Sequence, residues 1–341
     1  MLILVAPLNW GLGHASRCIP LIQRFLDEGN EVIIGGDGES LLLLRKHFPQ
    51  LRVLPLAPLQ LQYSKGKSQV GAMLHSLPKL IKSAIQDHYI LKNCLRTTHI
   101  DKIVSDNRFG LYNAGVHCVY ITHQVHIRLP KGWRWAEKIA DALHARVYNR
   151  YNELWIPDRE DEAQSLGGAL SHPAPGTIET HYIGPLSRFE RPLEEAKTDW
   201  KADVAAVLSG LEPQRSMIEK EIIARYEGKE EEVVIVQGKA GAPKTRIRHG
   251  NITLVPHLGD EELAGLLKGA RTIIARSGYS TIMDLDTLGL LEKSELVPTP
   301  GQPEQEYLLT FLKKQNKKHY EKDFFSDARS YVELERHGRK P

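Results

Sequence analysis

Cysteine is scarce in this sequence: Cys18, Cys94 and Cys118 are its only thiols. Odd in number and widely spaced, they form neither a disulfide framework nor a zinc pattern, and a reducing cytoplasm is the simplest home. Long apolar runs are missing too. No stretch approaches the ~18 consecutive apolar residues of a membrane span. The apolar opening at residues 1–10 is too short, and lacks the basic start, for a signal peptide. Any membrane association is therefore expected to be peripheral, at the inner face. Nor does one charge dominate: 45 Lys and Arg against 42 Asp and Glu leave +3 at pH 7. The two signs are interspersed, and nothing marks a nucleic-acid binder. There is no short repeat and no low-complexity tract. What is present is 41% hydrophobic residue content over 341 residues. Single cores rarely grow past about 250–300 residues, so two domains are expected.

The most informative stretch is 272–307. A β-branched run stops at Arg276-Ser277-Gly278, and a helical pattern follows with apolar Ile282, Leu285, Leu288 and Leu291. A second apolar step ends in a Pro/Gly-rich loop that delivers Glu304, Gln305 and Glu306 onto another helix start. A helix beginning after a parallel strand points free N–H groups and a positive dipole end into the crevice, which favours phosphate. Gly278 allows close approach to the backbone, Ser277 is placed to cap the helix, and Asp284 is placed to accept from ribose hydroxyls. The same spacing also describes an ordinary capped αβ unit.

The chain opens in the same way. A first strand at 2–6 runs into Gly11-Leu12-Gly13-His14-Ala15-Ser16-Arg17 and then a helix. Gly11 and Gly13 supply permissive backbone, and Ser16 occupies the place of the third glycine of a dinucleotide loop. His14, near a helix N-terminus, should stay neutral near pH 7 and accept a proton; a turn histidine bonded to backbone is the plain alternative. Asp37 ends a second strand between glycines, where a turn aspartate is routine. Residues 57–75 read as a loop, and helical periodicity returns over 77–95. Strands at 101–106 and 118–122 deliver Asp106 and His123 at adjacent carboxyl ends, the pattern of a cleft in a doubly wound sheet. Residues 126–151 interleave Trp133 and Trp135 with Lys131, Arg134, Lys138, Arg146 and Arg150. They fit either an anionic lipid surface or an amphipathic helix with snorkelling cations.

Strands at 153–156 and 181–183 close the first half. A linker begins at Gly184-Pro185-Leu186. Another strand–loop–helix starts at 203–208 and leads into Ser209-Gly210-Leu211-Glu212-Pro213-Gln214-Arg215. The Val/Ile run at 232–237 fits a strand buried on both faces. A further strand at 251–255 leads to His257 and Leu258.

Arg276-Ser277-Gly278, the acidic Asp284, and a Pro/Gly loop running into Gln305-Glu306-Tyr307 resemble the donor-nucleotide motif of family 28 glycosyltransferases. The glycine-His loop at 11–14 is similar to the one that closes the first strand there. Residues 209–215 resemble the phosphate loop of related transferases. The resemblance implies an α/β chain of GT-B architecture, two doubly wound Rossmann-like domains facing across a cleft. It implies an acceptor-side domain at 1–184, a nucleotide-sugar domain at 185–320, and a tail at 321–341 packing back on the first. The carried-over roles put Asp284 on ribose, Gln305 and Glu306 on the sugar, and Ser209, Gly210 and Arg215 on the diphosphate. Arg276, Ser277 and Gly278 belong to the donor loop, and His257 and Leu258 to the base. His14 lies at the acceptor as base, with Asp106 and His123 the other candidates. Where the family usually has glutamine, this chain has Glu306.

The implied chemistry is inverting transfer of N-acetylglucosamine or a related hexose from a UDP-sugar co-substrate to a hydroxyl, with no other cofactor. Acceptors in the resembled family are lipid-linked. Asp284 and Asp286 are formally an Asp-x-Asp pair. Inside a helix their carboxylates stand ~200° apart and cannot share an ion, so no metal is expected. A UDP-N-acetylglucosamine 2-epimerase, and a non-catalytic nucleotide-sugar-binding protein, are the alternatives the same motifs allow.

Overall fold

The computed structural model describes residues 1–59, 69–191, 200–210, 212–239 and 241–315, with 69–76 as backbone only. Two sheets account for the architecture. The first is built outward from β1 (Leu2–Pro7), whose Ile3 to Ala6 are buried on both faces, as an uninterrupted apolar run requires. β1 pairs in parallel with β2 (Glu31–Gly36) on one side and β4 (Lys102–Asp106) on the other. With β3 (Arg52–Pro55), β5 (His117–Ile121), β6 (Glu153–Ile156) and β7 (Glu179–Tyr182), the order is β3-β2-β1-β4-β5-β6-β7, parallel throughout. Helices α1 (Gly13–Asp27) and α2 (Gly38–His47) cover one face, packing Ile22, Phe25 and Leu44 on Ile3, Val5 and Ile34. Helices α3 (Gln69–Cys94) and α4 (Glu137–Tyr148) cover the other, packing Leu91 and Tyr148 on Leu4, Ile103 and Tyr120.

The second sheet repeats the plan. Its first strand, β8 (Val204–Val207), lies between β9 (Val233–Val236) and β12 (Thr272–Arg276). β11 (Ile252–Val255) and β13 (Ser294–Val297) extend it, and β10 (Ile247–His249) adds an antiparallel edge. Helices α5 (Gln214–Tyr226), α6 (Asp260–Gly269), α7 (Tyr279–Thr287) and α8 (Pro303–Gln315) complete this half. In both sheets the strand order reverses beside the first strand, at β1/β4 and at β8/β12, and crevices open at such points.

Several readings of the sequence change. α3 begins at Gln69, inside the stretch read as loop. β3 and β10 went unread because they are short edge strands whose side chains are half-buried or exposed, so they carry little apolar signal. The tail at 321–341 lies outside the described residues, but α8 itself reaches back. The Ala169 N–H donates to Tyr307 Oη at 2.8 Å, and Arg128 lies over the Tyr307 ring at 5.0 Å. Leu166 and Leu170, which precede the linker in sequence, are buried in the core formed by α6, α7 and α8.

Candidate active site

The carboxyl edges of the two sheets meet. Helix α1 starts immediately after the β1 loop, and α7 immediately after β12, and these two starts touch. Ser280 Oγ donates to the Gly13 carbonyl at 3.0 Å. A Cβ at Gly13 would lie 2.9 Å from that hydroxyl, so a side chain there would push the Ser280 hydroxyl aside.

His14 lies on the first turn of α1. Its Nδ1 is 3.0 Å from Asp106 Oδ1, at the end of β4. Asp106 is fully buried, and Arg17, one turn along α1, binds both of its oxygens through Nε and Nη2. Burial alone would raise the Asp106 pKa, but Arg17 and His14 hold it well below the usual carboxylate range. Burial, then Arg17, push the His14 imidazole below the ordinary histidine value, and Asp106 opposes them. Among the described residues the ring's hydrogen bonds are made at Nδ1, and none at Nε2.

His123 follows β5. Arg17 Nη1 lies 3.2 Å from its Nδ1, and since guanidinium only donates, Nδ1 accepts and Nε2 carries the proton. That Nε2 donates to Glu304 Oε1 at 2.9 Å, across to the start of α8. The ring stacks on Tyr279 of α7, with centroids 4.1 Å apart and planes 2° apart. One chain of contacts therefore runs His14–Asp106–Arg17–His123–Glu304 from the first sheet to the second.

The donor-motif residues are distributed around the facing edge. Gly278 is the N-cap of α7, and Ser277 does not cap it: its buried hydroxyl donates to the Gln305 carbonyl at 3.0 Å, tying the turn to α8. Arg276 is buried beneath, donating to the carbonyls of Pro298 (3.0 Å) and Gln214 (2.8 Å), which fixes the two loops against each other. Burial lowers its pKa to about 10, against the pull of Glu221. Asp284 accepts from Ser187 Oγ at 2.7 Å and lies 3.4 Å from Arg188 Nε, so linker side chains meet it. Asp286 instead pairs with Arg159 of the first half at 2.5 Å, so the two acids of α7 face different partners.

Gln305 is held by Thr299 N–H at 2.8 Å and donates to Gln302 Oε1 at 2.5 Å. Glu306 is exposed and accepts from Gly301 N–H at 3.2 Å, turned toward its own loop. The carboxylate that enters the site is Glu304. Gly210 takes left-handed backbone (φ 95°) in the loop after β8, beside Ser209, and Gly11 does so (φ 75°) in the loop after β1. Arg215 is occupied by Glu212 at 2.8 Å and the Gly238 carbonyl at 3.0 Å. Lys46 Nζ of α2 meets His257 Nε2 at 2.7 Å, and the Leu258 side chain is core, which leaves only its backbone to the loop.

Asp37 is structural. It accepts from Arg108 Nη1 at 2.8 Å, from Asn9 Nδ2 at 3.0 Å and from Leu59 N–H at 3.1 Å. Arg108 also pairs with buried Asp87 at 2.7 Å. Sequence reasoning named Arg17 as the end of the first loop and Glu304 at a helix start, but assigned neither a role in the site. His14 and Arg17 stand three apart on one helix face, which was the readable signal for the first; Glu304 had none beyond its helix start.

Two Rossmann-like sheets meeting at their carboxyl edges constitute the GT-B fold, and solved structures of that fold resemble this chain. A glycosyltransferase of kitacinnamycin superimposes with a TM-score of 0.59 at 15% identity, over 91% of this chain and 84% of that one. The glycosyltransferase SnogD from Streptomyces nogalater gives 0.54 at 16%, over 98% and 94%. A UDP-glucosyltransferase from Polygonum tinctorium capable of glucosylating indoxyl gives 0.57 at 12%, over 92% and 83%. At these identities the likeness is one of fold. No family model and no curated protein matches the sequence.

Proposed function

We propose that the chain is an inverting glycosyltransferase that moves a hexose from a UDP-sugar to a hydroxyl acceptor without a metal ion. The observation that carries this reading is the His14–Asp106 pair at the edge of one sheet, set against the Gly278 helix start and Glu304 of the other. Asp106 and His123 are enclosed by their own hydrogen bonds, so His14 is the base. The acceptor O–H proton goes to His14 Nε2. The oxygen's electron pair attacks the anomeric carbon, and the bond to the diphosphate breaks with its electrons leaving on UDP. Helix N-termini after Gly210 and Gly278 favour the charge that grows there.

The acceptor is drawn from a lipid surface. Leu77, Ile81, Ile85 and Tyr89 lie at i, i+4 spacing on the outer face of α3, each at least 50% exposed. Trp135 (71%), Ile139 (54%) and Leu143 (55%) stand out from α4 and the turn before it, on the same side of the sheet. Exposed Lys79, Lys82, Lys131, Arg134 and Lys138 flank them. Apolar side chains among cations suit an anionic membrane face. No helix among the described residues is long and apolar enough to cross a membrane.

The test is His14→Ala with turnover, UDP affinity and melting temperature read on one preparation. Turnover is expected to fall about 10²–10⁴-fold with UDP affinity nearly intact, and wild-type activity to persist in excess EDTA. Wild-type turnover in a folded His14→Ala protein removes the assignment. Release of UDP without any acceptor would favour the epimerase reading.

A further inference from the structure

Arg17 is 2% exposed and reaches three ionisable side chains at once. Its Nε donates to Asp106 Oδ2 at 2.5 Å, and its Nη2 donates to Oδ1. That same Nη2 lies 2.8 Å from His14 Nδ1, while Asp106 Oδ1 lies 3.0 Å from it. A ring nitrogen either carries a proton or accepts one. With a proton, His14 Nδ1 serves Asp106 and opposes Arg17; without one, it serves Arg17 and opposes Asp106. The imidazole therefore sits at the junction of an ion pair rather than beside a lone carboxylate.

We propose that Arg17 is the positioning residue that governs the proton on His14. It contests Nδ1 directly, and it draws onto itself the carboxylate charge that would otherwise stabilise imidazolium. The inference rests on His14 being the base of the proposed transfer. A carboxylate alone beside an imidazole favours its charged form, and a cation at the same distance disfavours it. Here both act on one nitrogen, and the carboxylate already has both oxygens engaged by guanidinium. The other groups facing this cluster do not replace Arg17. His123, from the loop after β5, accepts from Arg17 and is itself a disfavouring neighbour of His14. Cys18 of α1 is buried against Asp106, and burial raises its thiol pKa, which keeps it uncharged. Glu304 of α8 is a carboxylate, but His123 stands between it and Arg17. The consequence for transfer is a ring that resists imidazolium: only its neutral form with Nδ1–H on Asp106 takes the acceptor proton at Nε2, and it holds that proton weakly.

The experiment follows the His14 ring by NMR through a pH titration of the full chain, its signal assigned by loss in His14→Gln. In the wild type the midpoint is expected below the ordinary histidine value. In Arg17→Met it should rise by about one pH unit or more, a roughly tenfold gain in proton affinity. Arg17→Lys, which keeps the charge, should remain below the ordinary value. A wild-type midpoint at or above that value overturns the proposal without any variant, which matters because Arg17→Met leaves a buried carboxylate unpaired and risks unfolding. An unchanged midpoint in folded Arg17→Met, or a Lys variant that rises to the ordinary value, overturns it as well. The acid limb of the turnover–pH profile is then measured on the same variants. A midpoint that moves while the acid limb stays fixed retains the role of Arg17 and removes His14 as the base, so the two readings fail separately.

Discussion

At the scale of the residue, Asp284 shows how a buried carboxylate must be matched by donors. Burial raises its pKa, while Arg188 and the Ser187 hydroxyl oppose that rise. The Ser187 hydroxyl bonds one oxygen and Arg188 approaches the other. A ribose diol would supply hydroxyl donors of the same kind at the same carboxylate. Asp284→Ala is expected to weaken UDP by about 1–3 kcal/mol, the usual result of leaving hydrogen-bonding groups unpaired. Because Ser187 and Arg188 lose their partner too, melting is recorded alongside calorimetry. Unchanged UDP affinity in a folded variant takes Asp284 out of the donor site.

At the scale of the element, the middle turns of α3 depart from an ordinary amphipathic helix, while its last turns pack Leu91 on the sheet. Its inner side buries Ser83 (8% exposed) and Asp87 (1%) because Asp87 is needed by Arg108, whereas Ile81 (53%) and Ile85 (54%) face outward. The periodicity of such a helix locates its faces without saying which one is covered. Exposed side chains contribute little to folding, so Ile81→Glu/Ile85→Glu should change stability by no more than about 0.5 kcal/mol per site. Co-sedimentation with vesicles containing anionic phospholipid should be lost. Equal retention of wild type and variant, or no retention of the wild type, sinks the lipid-surface reading.

At the scale of the whole molecule, the halves are joined by more than a linker. Gly168 takes φ 51° against α8, where a Cβ would fall 2.5 Å from Phe311 Cε2. Its neighbours Leu166 and Leu170 sit in the second core. Gly168→Ala combines overpacking with strained backbone and should destabilise by about 1–3 kcal/mol. Scanning calorimetry is expected to show one transition in the wild type and separated transitions in the variant, as the joint opens before either sheet melts. An unchanged single transition would mean that the joint does not couple the halves.

The sequence by itself determined what is local. Strands buried on both faces appear as apolar runs, and glycine turns before amphipathic helices place crevices at strand ends. From these, the inner parallel strands of both sheets and the loops carrying His14 and Gly278 were readable, while the edge strands β3 and β10 were not. Tertiary structure decided which side chains meet. His123 and Glu304 are 181 residues apart, and only the docking of the two sheets brings them to a hydrogen bond. Ser277 is a cap by spacing and a tether to α8 in fact, because its hydroxyl finds the Gln305 carbonyl first. Gln305 and Glu306 were legible as a pair, but the phase of α8 turns Glu304 into the site and Glu306 out toward Gly301. Helix phase and sheet docking depend on packing across the whole chain, and no local pattern encodes them.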